Sequence, residues 1–476
     1  MISVEEFRSE AHRLVDWIAD YYINASSYPV KSMVNPGDIA SRLPDSPPEN
    51  AETFSTVLAD VENIIMPGIT HWQSPRFFAY FPANSSFPSL LGEMLTSALG
   101  AQCMKWETSP AATELEEVVM NWLRQMTGLP DTFQGVIQDT ASTATLCAIL
   151  TAREKISAFA VNRSGFLNQP VYRVYCSSEA HSSVDKAVRI AGIGLDNLVK
   201  IPVDDAFKMD TQALKKSIDA DIQQGYTPLC VVAALGTTGS TAVDPLDAVA
   251  KICRKYDIWL HVDAAFAGSA LILPEYRWMI KGIAAVDSFV FNPHKWLFTN
   301  FDCSAYFVKD KNVLIKTFLL VPEYLRSQVH TNANDYSNWG IQLGRRFRAL
   351  KLWFVIRMFG VKGLQEKIRF HITLATEFEK RLMQTGNFEI LAPRLFNLIC
   401  FRFNPAGNLS EDQLDRLNEN LLLAMNKTGR IYITHTRLKG RYTLRLMVAQ
   451  TNTKIEHMEE AWQLLLEKSA ELYSTH

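Results

Sequence analysis

The stretch "VDSFVFNPHKW" (286–296) decides the fold that we expect for this chain. Its first six residues are mostly apolar, which predicts a short strand buried on both faces. Lys295 follows this run and leads into the apolar residues Trp296 and Leu297. A lysine is rarely buried, because removing its charge from water is costly unless a partner compensates it. Lys295 therefore either extends to water, the usual case for a lysine considered alone, or stays neutral to take part in chemistry.

Similar apolar runs recur between residues 135 and 308, and segments with helical spacing such as "DPLDAVAKICRKY" (244–256) separate them. This alternation predicts an α/β domain with a mostly parallel sheet. The predicted strands are 171–176, 197–203, 229–235, 258–263, 288–292 and 304–308.

The flanking segments have different patterns. A capping box at Ser3 and apolar residues at helical spacing predict an amphipathic helix over 3–24, which a proline-rich stretch (35–50) separates from another at 51–66. "GRRFRALKLWFVIRMFG" (344–360) predicts a long helix, and strands and helices alternate beyond it. We therefore divide the chain into an N-terminal helical arm (1–83), a large α/β domain (84–360) and a small C-terminal α/β domain (361–476).

The composition limits the class of partner. Lys and Arg total 48 against 50 Asp and Glu, so no bulk positive field would attract nucleic acid or an anionic membrane. The seven cysteines are widely spaced without a Cys-x-x-Cys pair, which fits neither a disulfide framework nor a zinc site. The partner that we expect is therefore a small molecule or another protein, without a metal. With no signal-peptide pattern and no long apolar run, we expect a cytoplasmic location.

The polar residues where predicted strands end are the candidates for chemistry, because ligands bind beyond the carboxyl ends of parallel strands. Each has an ordinary alternative: a carboxylate at a strand end is more often part of a turn or ion pair, and a histidine is more often at the surface or satisfied in the core. The candidates are His181, Thr237, Thr238, Asp263, Asn292, His294 and Lys295.

A turn at Thr140, Ala141 and Ser142 begins an apolar helix, where free N–H groups favour an anion such as phosphate. Taken alone, Thr140 and Ser142 are more simply helix caps. Because an amine and a carboxylate are predicted on the same sheet edge, a phosphate site becomes a better interpretation of this turn than it would be alone. Pyridoxal phosphate requires an amine for a Schiff base, a carboxylate for its ring nitrogen and a phosphate site, so the sequence predicts this cofactor.

Two longer motifs carry a family resemblance. "HVDAAFAGSA" (261–270) and "NPHKWLFTNFDCS" (292–304) resemble the signature of the group II pyridoxal-phosphate decarboxylases, and specifically of the aromatic L-amino-acid decarboxylases. The resemblance extends to further motifs and thins after about residue 395. These motifs are 66–82, 109–116, 135–142, 180–187 and 343–354.

The resemblance implies a role for each matching residue. Lys295 would carry the cofactor, Asp263 would pair with the ring nitrogen, and His181 would stack on the ring. Ala265 would pack on the opposite face and Thr238 would lie near the ring hydroxyl. The phosphate would be held by Thr140, Ala141, Ser142, Asn292 and His294.

The resemblance also implies the architecture of the active site. The family has the fold of the aspartate aminotransferase type, fold type I, and forms an obligate homodimer with its active sites at the interface. A tyrosine on a loop from the other subunit returns a proton to the substrate Cα after CO2 leaves, and Tyr324 lies at the matching position. The N-terminal helical arm would then serve in dimerisation.

Decarboxylation is the activity that we expect, with two alternatives. Aromatic aldehyde synthases of the same family replace the loop tyrosine or the stacking histidine, whereas this chain keeps Tyr324 and His181. An aminotransferase needs an arginine for the substrate carboxylate, and the arginines at 345, 346 and 348 leave that alternative open.

The substrate pocket is expected from the same resemblance. An aromatic cluster is by default core packing, but here it matches an aromatic-lined pocket. Gly344 matches members that accept indole or catechol rings, which favours tryptophan-like or dihydroxyphenylalanine-like substrates. Gln102 either reads a ring hydroxyl or indole N–H, or faces solvent. The expected pocket residues are Trp72, Tyr80, Phe81, Pro82, Ala83, Gln102, Met104 and Gly344.

Overall fold

The structure is a computed structural model that describes residues 2–320, 333–405, 407 and 409–474. The helices in these ranges are α1 Val4–Ile23, α2 Phe54–Asp60, α3 Phe87–Leu99, α4 Pro110–Thr127, α5 Ala141–Ile156, α6 Ala160–Ser164, α7 Ser183–Ile190, α8 Thr211–Gln223, α9 Leu246–Tyr256, α10 Pro293–Trp296, α11 Lys311–Phe318, α12 Arg348–Thr385, α13 Glu411–Lys427 and α14 Ile455–Ser474. The strands are β1 Phe77–Phe78, β2 Gln134–Gln138, β3 Tyr172–Ser177, β4 Leu198–Ile201, β5 Thr227–Ala234, β6 Trp259–Asp263, β7 Ser288–Phe291, β8 Ser304–Val308, β9 Phe388–Ile390, β10 Leu398–Phe403, β11 Tyr432–Leu438 and β12 Arg441–Met447.

The chain divides into two compact units. The first comprises Met1–Pro82, Thr373–Leu391 and Ile399–His476, and the second comprises Ala83–Ile372 and Ala392–Leu398. The division into an arm and two domains that we expect from the sequence concerns which segments fold or dimerise together, and it stays a prediction.

The second unit is built on a seven-stranded sheet with the order β2-β8-β7-β6-β5-β3-β4. Strands β3 to β7 pair in parallel, whereas β8 runs antiparallel to both β2 and β7. The α/β class with a mostly parallel sheet is thus confirmed. Helix α5 packs on this sheet through small buried residues, among them Ala144, Cys147 and Ala148, which allow a close approach.

The register of this sheet aligns the strand ends. Asp263, the last residue of β6, lies between Ala234 of β5 and Val290 of β7. At the reversed strand, Ser304 lies opposite Gln138 at the carboxyl end of β2. The carboxyl ends of the parallel strands and the start of β8 therefore share one edge.

The first unit has a five-stranded sheet with the order β1-β11-β12-β10-β9. Its strand β1 comes from the N-terminal part of the chain and pairs in parallel with β11, with Phe77 opposite Tyr432. This pairing is not expected from the sequence, because a two-residue strand has no periodicity to recognise. The core of the unit is formed by aliphatic and aromatic residues of the C-terminal strands and helices, with Phe78 added from β1.

The predicted helices are largely confirmed. Helix α1 has the capping box at Ser3 and Glu6, and none of its residues is buried. The helix predicted from 344 begins instead at Arg348, and Gly360 interrupts it with a left-handed φ of 64°. Among the described residues, no helix is long and apolar enough to cross a membrane.

Candidate active site

Lys295 lies in α10, the single turn that follows β7, and its side chain is partly buried. Desolvation lowers the pKa of Lys295, and the negative charge of Asp263 acts in the opposite direction. The backbone on both sides of the lysine is held: its N–H donates to the Asn292 carbonyl over 2.9 Å, and its carbonyl accepts from Asn84 Nδ2 over 2.6 Å. This setting shifts the lysine toward its neutral, nucleophilic form.

Asp263 is the last residue of β6, and its carboxylate takes part in a short series of hydrogen bonds. Its Oδ1 accepts a hydrogen bond of 3.0 Å from the backbone N–H of Ala265. The Ala265 carbonyl in turn accepts from the N–H of Asn292 over 3.0 Å. Asp263, Ala265 and Asn292 are thus joined by consecutive hydrogen bonds, which restrict their relative positions.

His181 lies in the turn that follows β3, and its Nδ1 accepts a hydrogen bond of 3.1 Å from the N–H of Ser183. The neutral ring therefore carries its proton on Nε2. Desolvation lowers the pKa of His181, while the charge of Asp263 raises it and that of Lys295 lowers it further. The amine, the acid and the imidazole that the sequence predicts as partners therefore lie within electrostatic reach of one another.

The turn before α5 provides the expected helix start. Thr140 caps the helix by accepting from the Thr143 N–H over 3.3 Å, so its ordinary capping role is present. The N–H groups of Ala141 and Ser142 have no intrahelical acceptor, because they belong to the first turn. They remain suited to an anion.

His294 is buried beside the lysine. Its Nδ1 accepts from the Cys303 N–H over 2.9 Å, and desolvation lowers its pKa to about 3, with the charge of Lys295 acting in the same direction. The ring is therefore neutral at pH 7, with its proton on Nε2. Thr238, in contrast, is an exposed residue after β5, whereas the adjacent Thr237 accepts from the Ala242 N–H over 3.1 Å as part of a turn.

The expected substrate residues fall in both units. Trp72, Tyr80, Phe81 and Pro82 belong to the first, where the rings of Trp72 and Tyr80 stack at 5.8 Å. Ala83, Gln102, Met104 and Gly344 belong to the second.

In the second unit, Gln102 Oε1 accepts from the Arg345 N–H over 2.7 Å, and the Met104 carbonyl accepts from the Ser337 N–H over 2.9 Å. Tyr324 lies outside the described residues.

The three arginines considered for an aminotransferase are each paired with a carboxylate. Arg345 binds Glu116 over 2.6 Å with both side chains almost fully buried, and Arg348 binds Asp302 through two hydrogen bonds of 2.9 and 3.0 Å. Arg346 contacts Glu93. Holding a substrate carboxylate would require one of these pairs to break, which argues against that alternative.

Two residues that support the site were not expected from the sequence. The Ser304 hydroxyl lies 2.7 Å from Oδ1 of Asn292 and 3.2 Å from the carbonyl oxygen of Asp139, which precedes the phosphate-type turn. Asn84 holds the lysine loop through its side chain, and its own N–H donates to the His294 carbonyl over 3.0 Å. The polar run "NSS" (84–86) is the one sequence signal that could have indicated the role of Asn84.

A lysine of lowered pKa, a carboxylate and a helix start at one edge of a mostly parallel sheet fit pyridoxal phosphate, which needs an amine, an acid and a phosphate site. The fold and the site therefore define a pyridoxal-phosphate-dependent enzyme of fold type I. Residues 36–404 match the pyridoxal-dependent decarboxylase conserved domain, and the chain belongs to this family of carboxy-lyases.

Named relatives agree with this assignment. Tyrosine decarboxylase 4 of Petroselinum crispum is 44% identical over 474 residues, which cover 97% of this chain and 92% of that relative. Phenylacetaldehyde synthase of Arabidopsis thaliana is 44% identical over 479 residues, which cover 98% of this chain and 96% of that relative. The crystal structure of Catharanthus roseus tryptophan decarboxylase in complex with L-tryptophan has a TM-score of 0.93 and 41% identity, and 99% of each chain is covered.

Proposed function

We propose that this chain removes the carboxylate of an aromatic L-amino acid and releases the corresponding amine and CO2. The observation that carries this proposal is the cluster of Lys295, Asp263 and His181 at the sheet edge, in which desolvation lowers the pKa of the lysine. Tyrosine and tryptophan decarboxylases among the relatives support an aromatic substrate.

The residues around the cluster would hold the cofactor. Lys295 would bind it covalently, Asp263 would pair with its ring nitrogen, and His181 and Ala265 would lie against opposite ring faces, with Thr238 near the ring hydroxyl. When bound, pyridoxal phosphate supplies an aldehyde for the substrate amine and a ring that accepts the electron pair left by CO2. The phosphate would be held by Thr140, Ala141, Ser142, Asn292 and His294.

The residues of the chain then have defined tasks. Asp263 is held by the Ala265 N–H with one oxygen, which leaves the other oxygen for a protonated ring nitrogen. Ser183 restricts the orientation of the His181 ring by donating its backbone N–H to Nδ1. Tyr324 would deliver a proton to the substrate Cα, and this step decides that an amine is formed.

The same proposal includes a homodimer with its active sites at the interface. Helix α1 has 20 residues and buries none of them, and Phe7 and Val4 are 62% and 68% exposed. A second copy would cover this apolar face, because an isolated helix does not leave such a face in water. We also propose a cytoplasmic location, which the seven buried free thiols support.

An aromatic aldehyde synthase is the second candidate, because phenylacetaldehyde synthases are among the relatives at up to 44% identity. The two activities start from the same substrates but differ in products: decarboxylation gives an amine and CO2, whereas the synthase consumes O2 and gives an aldehyde, CO2, ammonia and hydrogen peroxide. The presence of both His181 and Tyr324 in the sequence favours the decarboxylase.

The test is a product analysis with the holoenzyme and six amino acids: tryptophan, 5-hydroxytryptophan, dihydroxyphenylalanine, tyrosine, phenylalanine and histidine. We expect an aromatic amine and CO2 in equal amounts, without peroxide. Aldehyde with ammonia and peroxide would instead establish the synthase. Formation of a 2-oxo acid, with activity that depends on an added 2-oxo acid acceptor, would establish an aminotransferase and contradict the proposal.

A further inference from the structure

The side chain of Gln102 lies against the backbone of Gly344 and Arg345. Its Oε1 accepts a hydrogen bond of 2.7 Å from the Arg345 N–H. A Cβ atom placed on Gly344 would lie 3.4 Å from Nε2 of Gln102, which is ordinary van der Waals contact. The space beside Gly344, which the sequence suggests is left for a larger ring, is therefore bordered by an amide.

The contact with Arg345 determines which end of this amide faces outward. A backbone N–H can only donate, so the Gln102 atom that it meets must be the carbonyl oxygen. The Nε2 group, with its two N–H donors, is then the outward end, and Gln102 is an exposed residue. Among the residues that the structure describes, Nε2 has no hydrogen-bond acceptor. Gln102 thus presents a donor beside Gly344.

The backbone that orients Gln102 is itself firmly held. The buried guanidinium of Arg345 donates to Glu116 over 2.6 Å and to the Ile137 carbonyl, at the end of β2, over 2.8 Å. Gln342 Nε2 donates to Asp139 Oδ2 over 2.8 Å, directly before the turn at the start of α5. The segment that binds Gln102 is therefore attached to the sheet edge that carries the candidate active site, and its backbone holds the oxygen end of the amide.

We infer that Gln102 is a specificity-determining residue that favours substrates with a hydroxyl group on the aromatic ring. This inference rests on the proposed decarboxylation and names its substrate class. A phenol or catechol oxygen accepts a hydrogen bond from Nε2, whereas a phenylalanine ring has no acceptor. An indole N–H is a donor and would meet another donor. Tyrosine-like and dihydroxyphenylalanine-like rings are therefore preferred to phenylalanine and to tryptophan.

The substitution Gln102→Glu tests the donor while preserving the scaffold. Glutamate keeps an oxygen for the Arg345 N–H and replaces the outward N–H donors with a second acceptor. We expect the ratio of kcat/KM for tyrosine to kcat/KM for phenylalanine to fall about three- to tenfold, the value of one hydrogen bond. Gln102→Met removes both ends of the amide and should reduce the ratio similarly.

Thr108→Val is the matched control. The Thr108 hydroxyl donates to the Gln102 backbone carbonyl over 2.8 Å, so this substitution disturbs the same loop and leaves the side-chain amide intact. We expect it to leave the tyrosine-to-phenylalanine ratio unchanged, even if both rates fall together. A ratio that falls equally in Thr108→Val would show that loop position, and not the donor, sets the preference, and would overturn the inference.

The failure of this inference is distinguishable from failure of the proposed function. Amine release with the same ratio in wild type and Gln102→Glu would overturn the role of Gln102 and leave decarboxylation intact. Faster amine release from tryptophan than from tyrosine by the wild type would do the same. No amine from any aromatic amino acid would contradict the proposed function itself.

Discussion

Asn84 Nδ2 donates a hydrogen bond of 2.6 Å to the carbonyl oxygen of Lys295, across 211 positions of sequence. The backbone N–H of Asn84 donates to the carbonyl of His294, the residue before Lys295, over 3.0 Å. Two consecutive carbonyls of the lysine loop are therefore held by one residue. Since a misplacement of about 1 Å in a catalytic group can cost about a hundredfold in rate, this contact should matter for activity.

Asn84→Ala should loosen the loop without removing any group proposed to touch the cofactor. We expect kcat to fall about tenfold and the affinity for pyridoxal phosphate to weaken, because the Lys295 carbonyl loses its donor. Steady-state kinetics and cofactor titration by absorbance measure both effects. Asn312→Ala, at an exposed asparagine, is the control and should behave as wild type. Equal activity of the two variants would contradict a positioning role for Asn84.

Lys295→Ala should abolish the covalent attachment of the cofactor. We expect the visible absorbance of the lysine-bound cofactor to disappear and turnover to fall more than about a thousandfold, because no other amine replaces the lysine. Absorbance spectra and amine release provide the measurement, and Lys309→Ala, at an exposed lysine, should retain both. Near-normal turnover in Lys295→Ala would remove the lysine from the proposed chemistry.

His261 should make the stability of the protein depend on pH. Burial lowers the pKa of this histidine to about 4, from an ordinary value of 6.5. The unfolded chain takes up a proton near pH 6.5 and the folded chain only near pH 4, so the free energy of unfolding falls as the pH falls through this window. The contribution lost is up to about 3 kcal/mol.

The variant His261→Gln should therefore lose stability less steeply than wild type between pH 6.5 and 4. Urea-unfolding midpoints at several pH values measure this difference. Asp244, whose pKa burial raises to about 6, acts with the opposite sign in both proteins, so the difference between them is the informative quantity. His12→Gln, at an exposed histidine, should parallel wild type. Parallel curves for His261→Gln would refute the prediction.

Glu116→Ala should destabilise the second unit strongly. Glu116 Oε1 pairs with the buried Arg345 guanidinium over 2.6 Å and also accepts from the Ile137 N–H over 2.8 Å. Removing it leaves a buried charge without its carboxylate, which costs about 3–5 kcal/mol. Thermal unfolding should show a clear drop in the midpoint. Glu114→Ala removes an exposed carboxylate of the same helix and should change the midpoint little.

The sequence predicts those parts of the site that depend on local pattern. Asp263 and Lys295 follow apolar runs that form β6 and β7, and the ends of parallel strands meet at one edge whatever the remaining packing. The helix start at Thr140 is equally local, because caps depend on a few consecutive residues.

Contacts between distant segments could not be predicted in this way. Gln102 and Arg345 are 243 positions apart, so their hydrogen bond could not be predicted from the sequence. The sequence left open whether the Gln102 side chain contacts substrate or solvent. The structure adds a contact that was neither of these, the bond to the Arg345 N–H. Strand β2 also lacks a long apolar run: it has five residues with glutamine at both ends, and Glu116 from α4 binds its backbone. Such partners become visible only when the chain is folded.

The reversed strand β8 has a mechanical consequence for the enzyme. Because it runs against its neighbours, it begins where they end, and its first residue, Ser304, touches both Asp139 and Asn292. The turn that we expect to bind phosphate and the loop that carries Lys295 thus both contact the hydroxyl of Ser304. We expect that a ligand bound by one of them would also restrict the other, so that binding of the cofactor and alignment of the lysine would be coupled.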